Sequence, residues 1–251
     1  MNSKSSKSNE SGLSTILCNS LSEIKHRLAS FPNLKPGNHY NSPTSTLGLS
    51  VPQSRSALKK GYSFLRRPAE EILTIFDYIW NNAVYFEEMS QAIYFYEKKT
   101  LSPREFKTIS DWINRCDNWA HSDGLSSIYA RALEERPALV MPVLQKWNRD
   151  RNPWKRRQSV VSLLYYSRLR QRAPEFVKMI EMVEALLKDP EYYVQKGVGW
   201  TLREIYNLHP DATLEFIETN VKSISPAAWQ ASTEKLKPEI KQQLMVKRKS
   251  A

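Results

Sequence analysis

The sequence predicts an all-α protein, a helical-repeat solenoid (α-α superhelix) with a basic concave face. Three observations carry that expectation. Proline recurs in pairs sixteen residues apart, Pro137 with Pro153, Pro174 with Pro190 and Pro210 with Pro226, and the first members stand 37 and 36 residues apart. Apolar residues step by three and four along most of the chain, the period of an amphipathic helix. Only 7 glycines occur in 251 residues, and alternating β-branched runs are scarce, which argues against a sheet.

Taken in order, Met1 to Gly12 is rich in Ser and Lys, lacks the apolar core of a signal peptide, and reads as a disordered tail. Leu13, Ile16, Leu17, Leu21, Ile24 and Leu28 then stripe one helix face. Pro36 to Ser54 is dense in Pro, Gly, Asn and Ser and reads as a connecting segment. Between Ile72 and Tyr96, the residues Ile75, Ile79, Phe86, Ile93 and Tyr94 are spaced for two helices with a break at Asn81 and Asn82. Pro103 stands 34 residues before Pro137, and Trp119 takes the place of its partner proline.

Proline suits the first turn of a helix, where its missing N–H costs nothing. Each pair therefore marks the starts of two successive helices, and a helix pair repeating every 34 to 37 residues is the signature of a solenoid. Val140, Val143, Leu144 and Trp147 stripe one first helix. Phe176, Met179, Ile180, Val183 and Leu186 stripe the next, and Leu214, Phe216, Ile217 and Val221 the one after. The expected organisation is one repeat domain over 13–245, between the tail 1–12 and a short basic tail 246–251.

The net charge is +11, which points to a polyanion such as nucleic acid. The charge is concentrated. Pro142 to Arg172 carries Lys146, Arg149, Arg151, Lys155, Arg156, Arg157, Arg168, Arg170 and Arg172 against the single acid Asp150. Such a run suits phosphate contacts, each releasing a condensed counterion. Trp147 and Trp154 lie in the same run and read first as core residues. Cys18 and Cys116, and the four histidines, are scattered. That pattern gives no metal-ligand cluster and fits a reducing cytoplasm better than a disulfide scaffold. No apolar run reaches the ~18 residues of a membrane span. Neither a phosphate-cradling glycine loop nor a Ser/His/Asp arrangement is present, so no cofactor is expected.

Aligning second helices by their first residues gives Trp119 and Pro153 equivalent places. Asp123 and Arg157 then each lie four residues in, so an acid and an arginine face the same groove. Trp119 and Asp123 are also neighbours one turn apart. Trp200 lies ten residues into the next such helix, in a direction within roughly a third of a turn of the other two. A carboxylate flanked by indoles in a basic cleft could stabilise a positive transition state. On spacing alone a solvated or capping role for Asp123 stands beside that reading.

Four stretches carry a resemblance. Asp117-Asn118-Trp119-Ala120-His121-Ser122-Asp123 is similar to the W-x-x-x-D motif of the AlkD family of DNA alkylation repair glycosylases. Asn152-Pro153-Trp154-Lys155-Arg156-Arg157 resembles the family's next segment, and Gln195-Lys196-Gly197-Val198-Gly199-Trp200-Thr201-Leu202-Arg203-Glu204 resembles its run Q-K-x-x-G-W-x-L-R-E. Leu47-Gly48 through Pro52 to Arg55 is similar to its N-terminal L-G stretch. The likeness covers about Tyr40 to Leu236, in the right order.

The resemblance implies a HEAT-like solenoid that removes cationic N3- and N7-alkylated purines from duplex DNA, without a base-specific pocket. Asp123 then corresponds to the catalytic carboxylate, and Trp119 and Trp200 to aromatics packing on the lesion's deoxyribose. Arg157, Arg156, Lys155, Trp154, Arg151, Lys196 and Arg203 correspond to the DNA-binding surface. A monomer acting on alkylated duplex DNA in the cytoplasm, with no membrane partner and no metal, is expected. His121 and Ser122 depart from the small and apolar residues of better-known members. Tyr40 lies one residue closer to Gly48 than the family pattern, so the sequence assigns it no role. Two other readings stand beside the glycosylase: a non-catalytic relative binding damaged or branched DNA, and a protein scaffold without a nucleic-acid role.

Overall fold

The computed structural model of the protein describes residues 3–32 and 34–249. Among them there are thirteen α-helices and no strand, only isolated bridges between Gly37 and Thr46 and between Ser45 and Tyr85. None of these helices is long and apolar enough to cross a membrane. The sequence predicts one domain over 13–245, whereas the chain gathers into two compact units, Met1–Leu125 and Ser126–Ala251. The difference has a physical basis. The regular proline-paired helices fill the second unit, while the first gathers less regularly around one almost wholly buried helix.

The first unit contains α1 (Ser3–Ala29), α2 (Val51–Lys59), α3 (Ala69–Asn82), α4 (Phe86–Tyr96) and α5 (Pro103–Asp111). It also contains the start of α6 (Trp119–Glu135). The helix α1 begins at Ser3, so the stretch 1–12 expected as a disordered tail is helical there. No proline interrupts it. Met1 and Asn2 lie outside the described residues. The expected connecting segment ends at Ser50, not Ser54. Ser50 and Gln53 form a capping box, and Pro52 in the first turn starts α2.

The break expected at Asn81 and Asn82 falls just beyond them, since both residues close α3 and α4 starts at Phe86. Trp80 and Trp112 stack 5.2 Å apart in the core. The Trp80 indole N–H donates to the Trp112 carbonyl at 2.9 Å, and that of Trp112 to Asp77 at 2.8 Å. Both buried indoles are thus satisfied, as buried polar groups must be.

The second unit continues α6 into α7 (Pro137–Trp147), α8 (Pro153–Val161), α9 (Phe176–Glu184), α10 (Tyr192–Tyr206), α11 (Pro210–Thr219), α12 (Pro226–Ser232) and α13 (Pro238–Lys249). Pro103, Pro137, Pro153, Pro210 and Pro226 open their helices, and Trp119 opens α6 in the place of a proline. Pro174 and Pro190 stand two residues ahead of α9 and α10. The predicted stripes face inward: Val140, Leu144, Trp147, Met179, Val183, Leu186, Ile217 and Val221 are buried. Burial of such side chains is the main stabilising contribution, about 1.5–3 kcal/mol each.

Helix α10 packs against α8, α9, α11 and α12 and is the centre of this unit. The expected basic tail is instead the end of α13. There Lys247 pairs with Glu218, and Arg248 bonds the Val221 carbonyl and lies 4.9 Å over Trp229. Ser250 and Ala251 of that tail lie outside the described residues.

Candidate active site

The first part of the candidate site is built at the start of α6. Asn118 caps the helix, its side-chain oxygen accepting the His121 N–H at 2.8 Å. Asp117 accepts from the Ser42 hydroxyl at 3.1 Å and from the Thr44 N–H and hydroxyl at 3.1 and 2.7 Å. These bonds hold the preceding loop against the helix start. They bring Tyr40 edge-on to Trp119, ring centroids 5.6 Å apart, and to Phe86 at 4.4 Å. Burial, with Tyr94 and Glu87 nearby, raises the Tyr40 phenol above its usual range, so it is neutral.

Trp119 remains 43% exposed, unusual for an indole in a molecule whose other large aromatics are mostly covered. Asp123, one turn on, is half-buried. The adjacent Gly124 is a close-approach residue. A Cβ there would stand 3.0 Å from two carbons of Ile93, so glycine lets α6 settle onto α4.

His121 is structural. It is fully buried, stacks on Phe86 at 4.0 Å, and has Ser90 and the Phe86 carbonyl at 3.1 Å from Nε2. The Asn118 side-chain amide lies 3.2 Å from Nδ1. The bond to a carbonyl requires Nε2 to carry the proton, leaving Nδ1 to accept from Asn118. Burial pushes its pKa down to about 3, so the ring is neutral.

The second unit carries the other residues predicted for the site. Trp200 lies half-buried on α10, stacked on Tyr165 at 5.4 Å and edge-on to Tyr166 at 5.8 Å. The run around it is explained residue by residue. The Gln195 amide donates to the Leu186 and Asp189 carbonyls, both at 2.8 Å, and its oxygen accepts from Ser225 at 2.8 Å. Ser225 in turn caps α12.

A Cβ on Gly197 would meet Val161 at 3.1 Å and Arg157 at 3.2 Å, and one on Gly199 would overlap the backbone carbonyl of Ala228. These two glycines let α10 seat between α8 and α12. Arg157, buried on α8, donates to the Tyr193 carbonyl at 2.8 Å. Glu204 accepts from the N–H and hydroxyl of Ser167 at 2.8 and 2.7 Å, which fixes the loop bearing Tyr165 and Tyr166.

The remaining predicted contacts divide by exposure. Arg151 is exposed, Lys155 and Lys196 are half-buried, and Lys155 lies 3.4 Å from Asp150. Arg156 forms a two-pronged pair with Asp189 at 2.5 and 3.2 Å and bonds the Asp150 and Arg151 carbonyls, so its guanidinium braces the loops before α8 and α10. Arg203 pairs with Glu234 at 2.5 Å and lies 5.7 Å over Trp200. Trp154 stacks on Tyr193 at 5.3 Å, half-buried, while Trp147 belongs to the core. Sequence reasoning missed Tyr40, Tyr165 and Tyr166. For the tyrosine pair the sequence offers only a Tyr-Tyr step after an apolar run. No cluster of His, Cys, Asp and Glu able to hold a metal occurs among the described residues.

The arrangement defines a class, the helical-repeat proteins of AlkD type. Three solved structures share the fold. One is smu.31 from Streptococcus mutans UA159, with a TM-score of 0.55 and 18% identity, over 75% of this chain and 92% of that one. A predicted DNA alkylation repair enzyme from Enterococcus faecalis gives a TM-score of 0.65 at 16% identity, over 78% and 90%. AlkD2 from Streptococcus mutans gives 0.59 at 15% identity, over 84% and 96%. No curated protein sequence matches the chain. The family described as "DNA alkylation repair enzyme" matches residues 31–236, and the chain belongs to that family.

Proposed function

We propose that the protein is a monofunctional DNA glycosylase that releases N3- and N7-alkylated purines from duplex DNA. The observation that carries this reading is on α6: an exposed indole one turn ahead of a half-buried carboxylate, on a helix face fixed by Asp117, Asn118 and Gly124. Trp119 packs on the lesion's deoxyribose and Asp123, on the same helix, faces the anomeric carbon; Trp200 is a further aromatic contact to the DNA. The alkylated base is already cationic. When the bond from C1′ to the purine nitrogen breaks, its electron pair neutralises the base, so no acid is needed to help it leave. Positive charge develops on the sugar, where the Asp123 carboxylate stabilises it. Water adds at C1′ and loses a proton, leaving an abasic site, in the manner of other glycoside cleavages.

Arg151, Lys155 and Lys196 contact phosphates beside the lesion, and Arg157, buried on α8 and bonded to the Tyr193 carbonyl, holds that surface in place. Trp154, stacked on Tyr193, walls the same surface. Arg156 and Arg203 contribute by holding that surface in place as well as by charge. These basic residues form the DNA-binding face, and the protein acts as a monomer.

The test is release of N7-methylguanine from a methylated duplex by folded, DNA-binding protein. Asp123→Asn is expected to slow release by about a hundredfold or more while leaving duplex binding unchanged or tighter. Equal release by both proteins removes Asp123 from the chemistry. No release by either makes the chain a DNA binder without this activity.

A further inference from the structure

We infer that the loop tip at residues 166–169 is a DNA-deforming wedge: Tyr166 and Leu169 enter a base step of the duplex while Arg168, between them, holds a phosphate. The inference rests on the DNA-binding reading above and extends it to a contact surface separate from Asp123.

Four observations converge on this tip. Tyr166 is 38% exposed and Leu169 60% exposed, directly after Leu163 and Leu164, which are buried. Two large apolar side chains thus stand in water at the turn of one loop. Tyr166 also holds φ 51 and ψ 80, in the left-handed region that a bulky residue rarely adopts. Such strain persists only where the surroundings impose it, and it gathers at functional sites.

Here the surroundings do impose it. Buried Glu204 grips the Ser167 N–H and hydroxyl, Asn207 donates to the same hydroxyl at 2.9 Å, and the Leu169 N–H closes back on the Tyr166 carbonyl at 2.8 Å. The tip is therefore preformed and rigid. Its charge suits a polyanion. Arg168 and Arg172 are exposed, and the Arg168 guanidinium lies 5.4 Å from the Tyr166 ring.

An aromatic ring and a branched aliphatic chain flanked by guanidinium groups are what base-step insertion requires. The apolar parts replace lost base stacking, and the cations hold the backbone. The tip also abuts Trp200, edge-on to Tyr166 at 5.8 Å, so it places the distortion beside an indole proposed to touch the DNA.

The experiment uses a short duplex with 2-aminopurine beside the lesion analogue and reads both affinity and fluorescence. Tyr166→Asn removes the ring but tolerates the left-handed backbone. Tyr166→Phe keeps the ring and serves as the control for folding and shape. The unsubstituted protein and Tyr166→Phe are expected to raise 2-aminopurine fluorescence on binding. Tyr166→Asn is expected to lose that rise and to bind about tenfold more weakly, with an unchanged salt slope. Arg168→Ala is expected to reduce the salt slope by about one. If the protein binds the duplex with a steep salt dependence but Tyr166→Asn matches it in affinity and fluorescence, the wedge is wrong and the DNA-binding reading stands. If the unsubstituted protein binds no duplex even at low salt, both fall.

Discussion

His121 shows how far a single residue departs from what its type suggests. It sits two residues before Asp123 and has the chemistry of a general base, yet it is sealed against Phe86 and Trp80 with both ring nitrogens bonded. Its low pKa has a consequence for stability. The unfolded chain binds a proton near 6.5, the ordinary value for histidine, while the folded ring does so only at about 3. Stability is therefore complete above pH 6.5 and declines as pH falls through that window, at up to about 1.4 kcal/mol per pH unit. Asp117 acts in the same direction at lower pH. Burial raises its carboxyl, but the bonds from Thr44, Asn118 and Ser42 together outweigh burial and hold it below the usual range. Denaturant midpoints from pH 7 to 4 check this: His121→Gln is expected to flatten the slope above pH 4, and an unchanged slope contradicts it. Spacing alone accounts for the place of this histidine, since an i+2 residue points away from the Trp119 and Asp123 face. Tyr40 was illegible, since its placement depends on Asp117 capturing Ser42 and Thr44 across more than seventy residues.

At the scale of elements, prolines marked helix starts well because the first-turn preference is local chemistry. The glycines were legible only as parts of a motif, since their reason is distance between helices. Gly199 faces the Ala228 backbone, which cannot rotate away, whereas Gly124 faces the flexible side chain of Ile93. Gly199→Ala is therefore expected to cost about 1–3 kcal/mol or more, and Gly124→Ala less. Thermal unfolding ranks the two, and an equal or reversed order contradicts this account of the packing. Glu204 acts at the same scale. Glu204→Gln is expected to loosen the loop after α8 and speed proteolysis there, with little change in the mean helix content, which limited digestion and circular dichroism together check.

For the whole molecule, the dense basic run was plain in the sequence, but its division of labour was not. Arg156, Arg170 and Arg203 are engaged with Asp189, Glu134 and Glu234, whereas Arg151 and Arg168 are exposed. Which cations meet acids of the chain depends on partners more than thirty residues away. Duplex affinity is accordingly expected to fall linearly in log–log form with salt, and Arg151→Ala to reduce the slope by about one. The family assignment supports a role in DNA alkylation repair, and the central claim is that Asp123 and Trp119, one turn apart on α6, act on the same sugar cation. Single-turnover release of N7-methylguanine by the unsubstituted protein, Asp123→Asn, Trp119→Ala and the double variant tests it most directly. Strong coupling is predicted, the double variant being little slower than Asp123→Asn alone. Independent multiplication of the two effects, or release undiminished by Asp123→Asn, would contradict the claim.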